Sequence, residues 1–202
     1  LSQRNALLKY FAANRTFDAD TLTLYDDQLC EYAPLIHEAR ERFVEAFVPM
    51  LKHNYAQIAG DEEDVDLRYR SKLHEMSMRN LLTESLAKDR LLQYSTAGPH
   101  REDLFFELHG RSLRQVGSQG QQKSYLVALK LATFDSLTEN LGAKPILLLD
   151  DVFDKLDADR VEGLIRLVND DHFGQIFLSD THRDRTELLL QAVDAQAKVF
   201  EL

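Results

Sequence analysis

Residues 145–160 read PILLLDDVFDKLDADR. Four aliphatic residues, Ile146 to Leu149, run without a break into two carboxylates, Asp150 and Asp151. A short apolar run behind a proline has the composition of a strand inside a parallel sheet, covered on both faces. Burying the strand threatens to bury the acids, and an unpaired buried carboxylate is costly. The conflict disappears if the acids stand at the strand's carboxyl end, because in open α/β sheets that end faces the ligand crevice. The stretch therefore predicts an α/β fold with Asp150 and Asp151 at the mouth of a site.

The flanking sequence supports this. Upstream, QGQQKSYLVALKLATFDSLTENLGAKP reads as a helix ending near Gly142, with Pro145 just beyond and Leu126, Leu129, Leu131 and Phe134 as core candidates. Downstream, DADRVEGLIRLVND is a helix, GQIFLSD a strand, RDRTELLLQAVDA a helix and AKVFEL a last strand. DLFFELHGRSLRQVG predicts two strands joined by a tight turn at His109-Gly110.

Residues 1–95 differ in texture. LSQRNALLKYFAANR is helical, and a long helical pattern runs from Thr23 to Ile58. In it Leu29, Tyr32, Ala33, Ile36, Ala39, Phe43, Phe47 and Met50 form an apolar stripe. Pro34 and Pro49 should break or kink this helix, and Gly60 should end it. Val65, Leu67 and Tyr69 alternate as a short strand near 65–70, and HEMSMRNLLTESLAKDRLLQY returns to helix. The expected organisation is a mainly helical arm domain, 1–95, before an α/β lobe, 96–202.

Composition narrows the function. With 24 Lys+Arg against 34 Asp+Glu the net charge is −10, which argues against indiscriminate coating of nucleic acid. A local basic patch remains, formed by Arg68, Arg70, Lys72 and Arg79. A lone cysteine, Cys30, makes no internal disulfide and points to a reducing, cytoplasmic setting. No apolar run approaches the roughly 20 residues of a membrane span. Leu1 opens in what reads as the middle of a helix, so a piece of a longer protein is expected.

A hydrophobic strand ending in two acids is the Walker-B arrangement of nucleotide-hydrolysing proteins. The first acid helps to hold Mg²⁺, mostly through its water shell, and the second polarises the attacking water. The same ending fits a metal-dependent nuclease, a receiver-type aspartate site, or a plain strand with a capped turn. Upstream, Gly117-Ser118-Gln119-Gly120-Gln121 is a loop of small and polar residues that opens a helix. A helix N-terminus with a serine hydroxyl is an anion site, though a capped amphipathic helix reads the same way.

Three motifs taken in order sharpen the choice. STAGPHREDLFF, GSQGQQKSYLVALKLA and PILLLDDVFDKLD resemble the RecF family of DNA replication and repair proteins, in the chromosome-maintenance group of ATP-binding-cassette (ABC) ATPases. The resemblance covers the whole chain, with the specific motifs between Gly98 and Asp180. It implies an ABC-ATPase-like C-terminal lobe, part of a P-loop NTPase fold, behind the helical arm. By this resemblance Ser118, Gln119, Gly120 and Gln121 form the signature loop, which contacts the γ-phosphate of ATP bound to a second subunit. Asp150 is the Mg²⁺-associated acid. Asp151 takes the catalytic place, one methylene shorter than the usual glutamate, so slow hydrolysis is expected. Asp157 is the D-loop aspartate at a dimer interface, and Asp180 and His182 are switch candidates.

The resemblance also implies an ATP-dependent homodimer that engages gapped DNA and double–single-strand junctions. Its expected partners are the RecR and RecO mediators and, indirectly, RecA. No G-x-x-x-x-G-K-[ST] segment occurs in the chain, so it is expected to bind ATP weakly or not at all by itself. An SMC-like ATPase head is an alternative, but it calls for long heptads. A nuclease needs a further carboxylate on a neighbouring strand end, where Asp180 is the evident candidate. His100 and Arg101 read as a structural corner or, for Arg101, a phosphate contact. His37, His53, His74, His109 and His172 show no metal-ligand spacing and read as surface residues. Cys30 reads as a small core residue.

Overall fold

The computed structural model describes residues 1–154, 156–168, 173–180, 198 and 200. In chain order the elements are α1 (Ser2–Asn14), α2 (Ala19–Ala59), β1 (Val65–Arg70), α3 (Met78–Leu92), β2 (Asp103–Leu108) and β3 (Arg111–Ser112). There follow a single turn α4 (Leu113–Val116), α5 (Gln119–Leu141), β4 (Ile146–Asp150), α6 (Ala158–Val168) and β5 (Gln175–Ser179). Two 3₁₀ turns span Lys72–His74 and Pro99–Arg101. No helix among the described residues is long and apolar enough to cross a membrane. The chain forms two compact units, each discontinuous: Leu1–Glu45 with Arg68–Phe105, and Ala46–Leu67 with Phe106 onward.

Helix α2 begins where the Asp18 carboxylate accepts from the backbone N–H of Asp20 (3.0 Å) and Thr21 (3.2 Å). It runs unbroken through Pro34 and Pro49, so the expected interruption does not occur. Each proline deletes one helical hydrogen bond at a cost of about 3 kcal/mol. Burial of Phe47, Leu51, Tyr55 and Ile58 along α2 outweighs this, at about 1.5–3 kcal/mol for each large apolar side chain. The expected apolar stripe is only partly buried: Ala33 and Phe47 are covered, while Tyr32, Ile36 and Phe43 are exposed.

In the first unit, Leu8, Phe11 and Leu22 form one apolar cluster and Ala33, Met78, Leu81, Leu82 and Ala97 another. A charged group the sequence did not suggest accompanies them. Arg4, fully buried, donates to Asp26 (2.6 Å), Asp89 (2.7 Å) and Ser95 (2.8 Å). The GPHR segment is a corner in this unit. Gly98 has φ 118°, His100 Nε2 donates to the Ser95 carbonyl at 2.9 Å, and the Arg101 guanidinium lies 5.0 Å from the Tyr94 ring centre.

In the second unit β4 and β5 pair in parallel, with Ile146 opposite Gln175 and Asp150 opposite Ser179. The strand is apolar on both faces, yet its burial alternates. Leu147 and Leu149 are each 7% exposed and Leu148 is 71% exposed, against the expectation of full coverage. On α5, Tyr125, Val127, Ala128, Leu131, Ala132 and Phe134 are buried. Leu126, expected in the core, is exposed because it lies off that face. Gly163 of α6 has to be glycine: a Cβ there would meet the Gln57 carbonyl at 2.6 Å and the Ile58 carbonyl at 2.8 Å. The β2–β3 hairpin pairs Glu107 with Ser112 and Leu108 with Arg111, and its turn residues His109 and Gly110 have φ 50° and 69°, as a tight primed turn requires. Its second strand is only two residues long before α4 begins. The helix expected over 183–195 and most of the last expected strand lie outside the described residues, as does His182.

Candidate functional site

Parallel pairing sets the end of β4 beside the end of β5. The Ser179 hydroxyl donates to Asp150 Oδ1, and Asp150 is exposed. The chain then turns sharply at Asp151, whose φ of 47° lies in the left-handed region. That conformation costs an ordinary residue about 1–2 kcal/mol and suits aspartate better than most. Two contacts hold it: the Asp151 N–H donates to the Ser179 carbonyl (3.1 Å), and the Asp151 carbonyl accepts from Lys123 Nζ (3.1 Å). Val152 and Phe153, both buried, anchor the turn that follows. Exposed carboxylate oxygens such as those of Asp150 at a strand end are hard donors, of the kind that suits a largely hydrated Mg²⁺.

Lys123 belongs to the first turns of α5, at whose start the residues expected to form the signature loop lie. Ser118 is the N-cap of this helix. Its Oγ accepts from Gln121 N (3.2 Å), and its N–H donates to Gln121 Oε1 (2.8 Å), a reciprocal capping box. Gln119 and Gly120 form the first helical positions, whose N–H groups have no carbonyl within the helix to bond. The helix therefore presents two backbone donors and the Ser118 hydroxyl proton at its positive end.

A second connection was hidden in the sequence. Glu63, in the turn between α2 and β1, accepts from the Tyr55 hydroxyl, from Gln121 Nε2 (3.0 Å) and from Arg160 Nη2 (2.7 Å). Arg160 of α6 also donates from Nη1 to Ser124 Oγ (2.8 Å) and from Nε to Asp157 Oδ2 (3.2 Å). Asp157 in turn caps α6, its Oδ1 accepting from the Arg160 N–H at 3.0 Å. One carboxylate and one guanidinium thus join the start of α5 to the start of α6. Burial pushes the Glu63 carboxyl up, but bonds from Tyr55 and Gln121 and the Arg160 charge together hold it below its ordinary value. Burial, reinforced by Glu63, pushes Tyr55 up to about 12. No motif announces this pair: Glu63 lies in the acidic run DEED, and 97 residues separate it from Arg160.

Asp180 follows β5 directly and is half-buried. Among the described residues, Asp150, Asp151 and Asp180 do not converge as a three-ligand metal cluster. The suggested basic patch is partly spent on local contacts: Arg79 pairs with Asp27 at 2.5 Å, and Arg70 lies 5.7 Å from the Phe105 ring centre.

No protein-family model matches the chain. The DNA replication and repair protein RecF of Flavobacterium johnsoniae is 50% identical over 200 residues, covering 99% of this chain and 56% of that protein. The chain is a RecF homologue. RecF of Parabacteroides distasonis is 43% identical and covers the whole chain, but only 54% of its own length. A solved structure of the recombination mediator protein RecF-ATP in the RecFOR pathway superposes with a TM-score of 0.76 at 29% identity, over 91% of this chain and 51% of that one. The expected fold, a partial α/β ATPase lobe, is that of this RecF structure. The chain spans about half the length of the RecF relatives it matches.

Proposed function

We propose that this chain is the signature and Walker-B half of an ATP-dependent DNA-binding protein of DNA replication and recombinational repair. The observation that carries the reading is the Lys123–Asp151 tether, which ties the first turns of α5 to the carboxylate end of β4 in a chain 50% identical to a RecF. The residues then divide the work. Asp150 offers oxygens to a hydrated Mg²⁺, which supplies charge neutralisation at the phosphates when bound. Asp151 polarises the attacking water. The N–H groups of Gln119 and Gly120 and the Ser118 hydroxyl meet the γ-phosphate of a nucleotide carried by a second subunit, and Asp157 faces that subunit. Such an ATP-dependent homodimer, working in the cytoplasm, would close on gapped DNA and double–single-strand junctions. With RecR and RecO it would promote RecA loading, and hydrolysis would release it. The solved relative's pairing with ATP supports the nucleotide.

Asp151→Asn in the full-length protein tests the reading. Asparagine tolerates the left-handed turn, so only the charge is lost. Hydrolysis should fall by about 100-fold or more while ATP-dependent dimerisation persists. Wild-type hydrolysis would remove Asp151 from its role.

A further inference from the structure

His37 and His74 look unrelated in the sequence. In the first unit they meet Glu41, and one ligand atom from each of the three residues lies within 4.8 Å of the other two. His37 and Glu41 stand one turn apart on α2, a spacing that puts them on one helix face. His74 comes from the 3₁₀ turn after β1, which Ser71 caps by accepting from Leu73 N. The two imidazoles meet edge to face with ring centres 4.7 Å apart, and His74 Nδ1 lies 3.4 Å from Glu41 Oε1.

Tyr69 orients both rings and selects their tautomers. Its hydroxyl donates its single proton to Glu102, so it accepts from His37 Nδ1, 3.3 Å away. Its carbonyl accepts from His74 Nε2 at 3.2 Å. Each imidazole thus carries hydrogen on the nitrogen facing Tyr69 and keeps a lone pair on the other: Nε2 of His37 and Nδ1 of His74. Glu102 is itself held by Arg40 (2.6 Å) and Ser71 (2.6 Å). Burial raises the Glu102 carboxyl, but the bonds from Ser71, Tyr69 and Arg40 hold it below its ordinary value, so it remains an acceptor. A histidine whose second nitrogen donates to a protein acceptor is the arrangement that orients imidazole for a metal.

We propose that His37, Glu41 and His74 form a binding site for a divalent transition-metal ion of the Zn²⁺ class. Two imidazoles and one carboxylate suit Zn²⁺ and disfavour Mg²⁺. Three protein ligands leave a fourth position for water. The ion would join α2 to the segment after β1. This site differs in chemistry from the all-oxygen end of β4 and does not depend on the function proposed above.

The test is a Zn²⁺ titration of the full-length protein against a chromophoric chelator, with Mg²⁺ in excess to occupy oxygen-ligand sites. The comparison variants are Glu41→Gln and His74→Gln, whose native side chains are 43% and 37% exposed and outside the core. Wild type should bind one equivalent more than either variant, and Tyr69→Phe should bind about 10–100-fold more weakly. Equal stoichiometry in wild type and variants overturns the proposal. Should a variant fail to fold, wild type alone decides. Zn²⁺ should protect His37 and His74 from carbethoxylation, mapped by mass spectrometry, and unchanged modification at both also overturns the site.

Discussion

Arg160→Ala should destabilise the second compact unit by about 2–4 kcal/mol. The residue is 9% exposed and makes three side-chain hydrogen bonds, to Glu63, Ser124 and Asp157. Breaking a buried ion pair by deleting one partner costs about 3–5 kcal/mol, because the other charge is left uncompensated. Two features reduce that here. Glu63 keeps its bonds from Tyr55 and Gln121, and its side chain retains 18% exposure. The Asp157 contact, at 3.2 Å to a 64% exposed carboxylate, adds little. The buried Ser124 hydroxyl loses its donor, a further cost of about 1 kcal/mol.

The chain has no Trp, so urea unfolding is best followed by far-UV circular dichroism. Combining the substitution with Glu63→Gln isolates the pair, with an expected coupling of about 1–3 kcal/mol. The pH dependence has a definite sign. The folded Glu63 carboxyl lies below its ordinary 4.5, so its contribution is fully present above that value and is lost as pH falls through the folded-state value. The coupling should therefore be full near neutral pH and shrink in strong acid. A change below about 0.5 kcal/mol for Arg160→Ala, the size of an ordinary surface substitution, would refute the reasoning.

Two further substitutions probe the units separately. Arg4→Ala takes the guanidinium partner from Asp89, to which Ser85 and Thr96 still donate, and the native Arg4 and Asp89 side chains are both 0% exposed, so a loss of about 3–5 kcal/mol is expected in a denaturant titration; retention of wild-type stability would show that the neutral donors alone compensate the Asp89 charge. Gly163→Ala drives a methyl group into the Gln57 and Ile58 carbonyls and should cost about 1–3 kcal/mol by the same measurement, whereas a stabilising effect would mean that α6 is not held against α2 there.

Some features needed only a few neighbouring residues, and the sequence by itself determined them. The Ser118 cap with Gln121, the left-handed stop at Gly142 and the His109-Gly110 turn are local devices, complete within one turn of chain. The apolar run ending in Asp150-Asp151 is another, since the unbroken run and the charges that end it are both written in adjacent positions. Coverage of that strand was not, because burial depends on what packs on each face: Leu148 is as apolar as Leu147 and stands exposed. The prolines of α2 misled for the same reason, since local propensity is outweighed by packing along the helix. Only tertiary structure brought Glu63 to Arg160, and His37 and Glu41 to His74. Ion pairs and ligand clusters form between side chains distant in sequence, and nothing in either neighbourhood encodes the partner until the fold closes the distance.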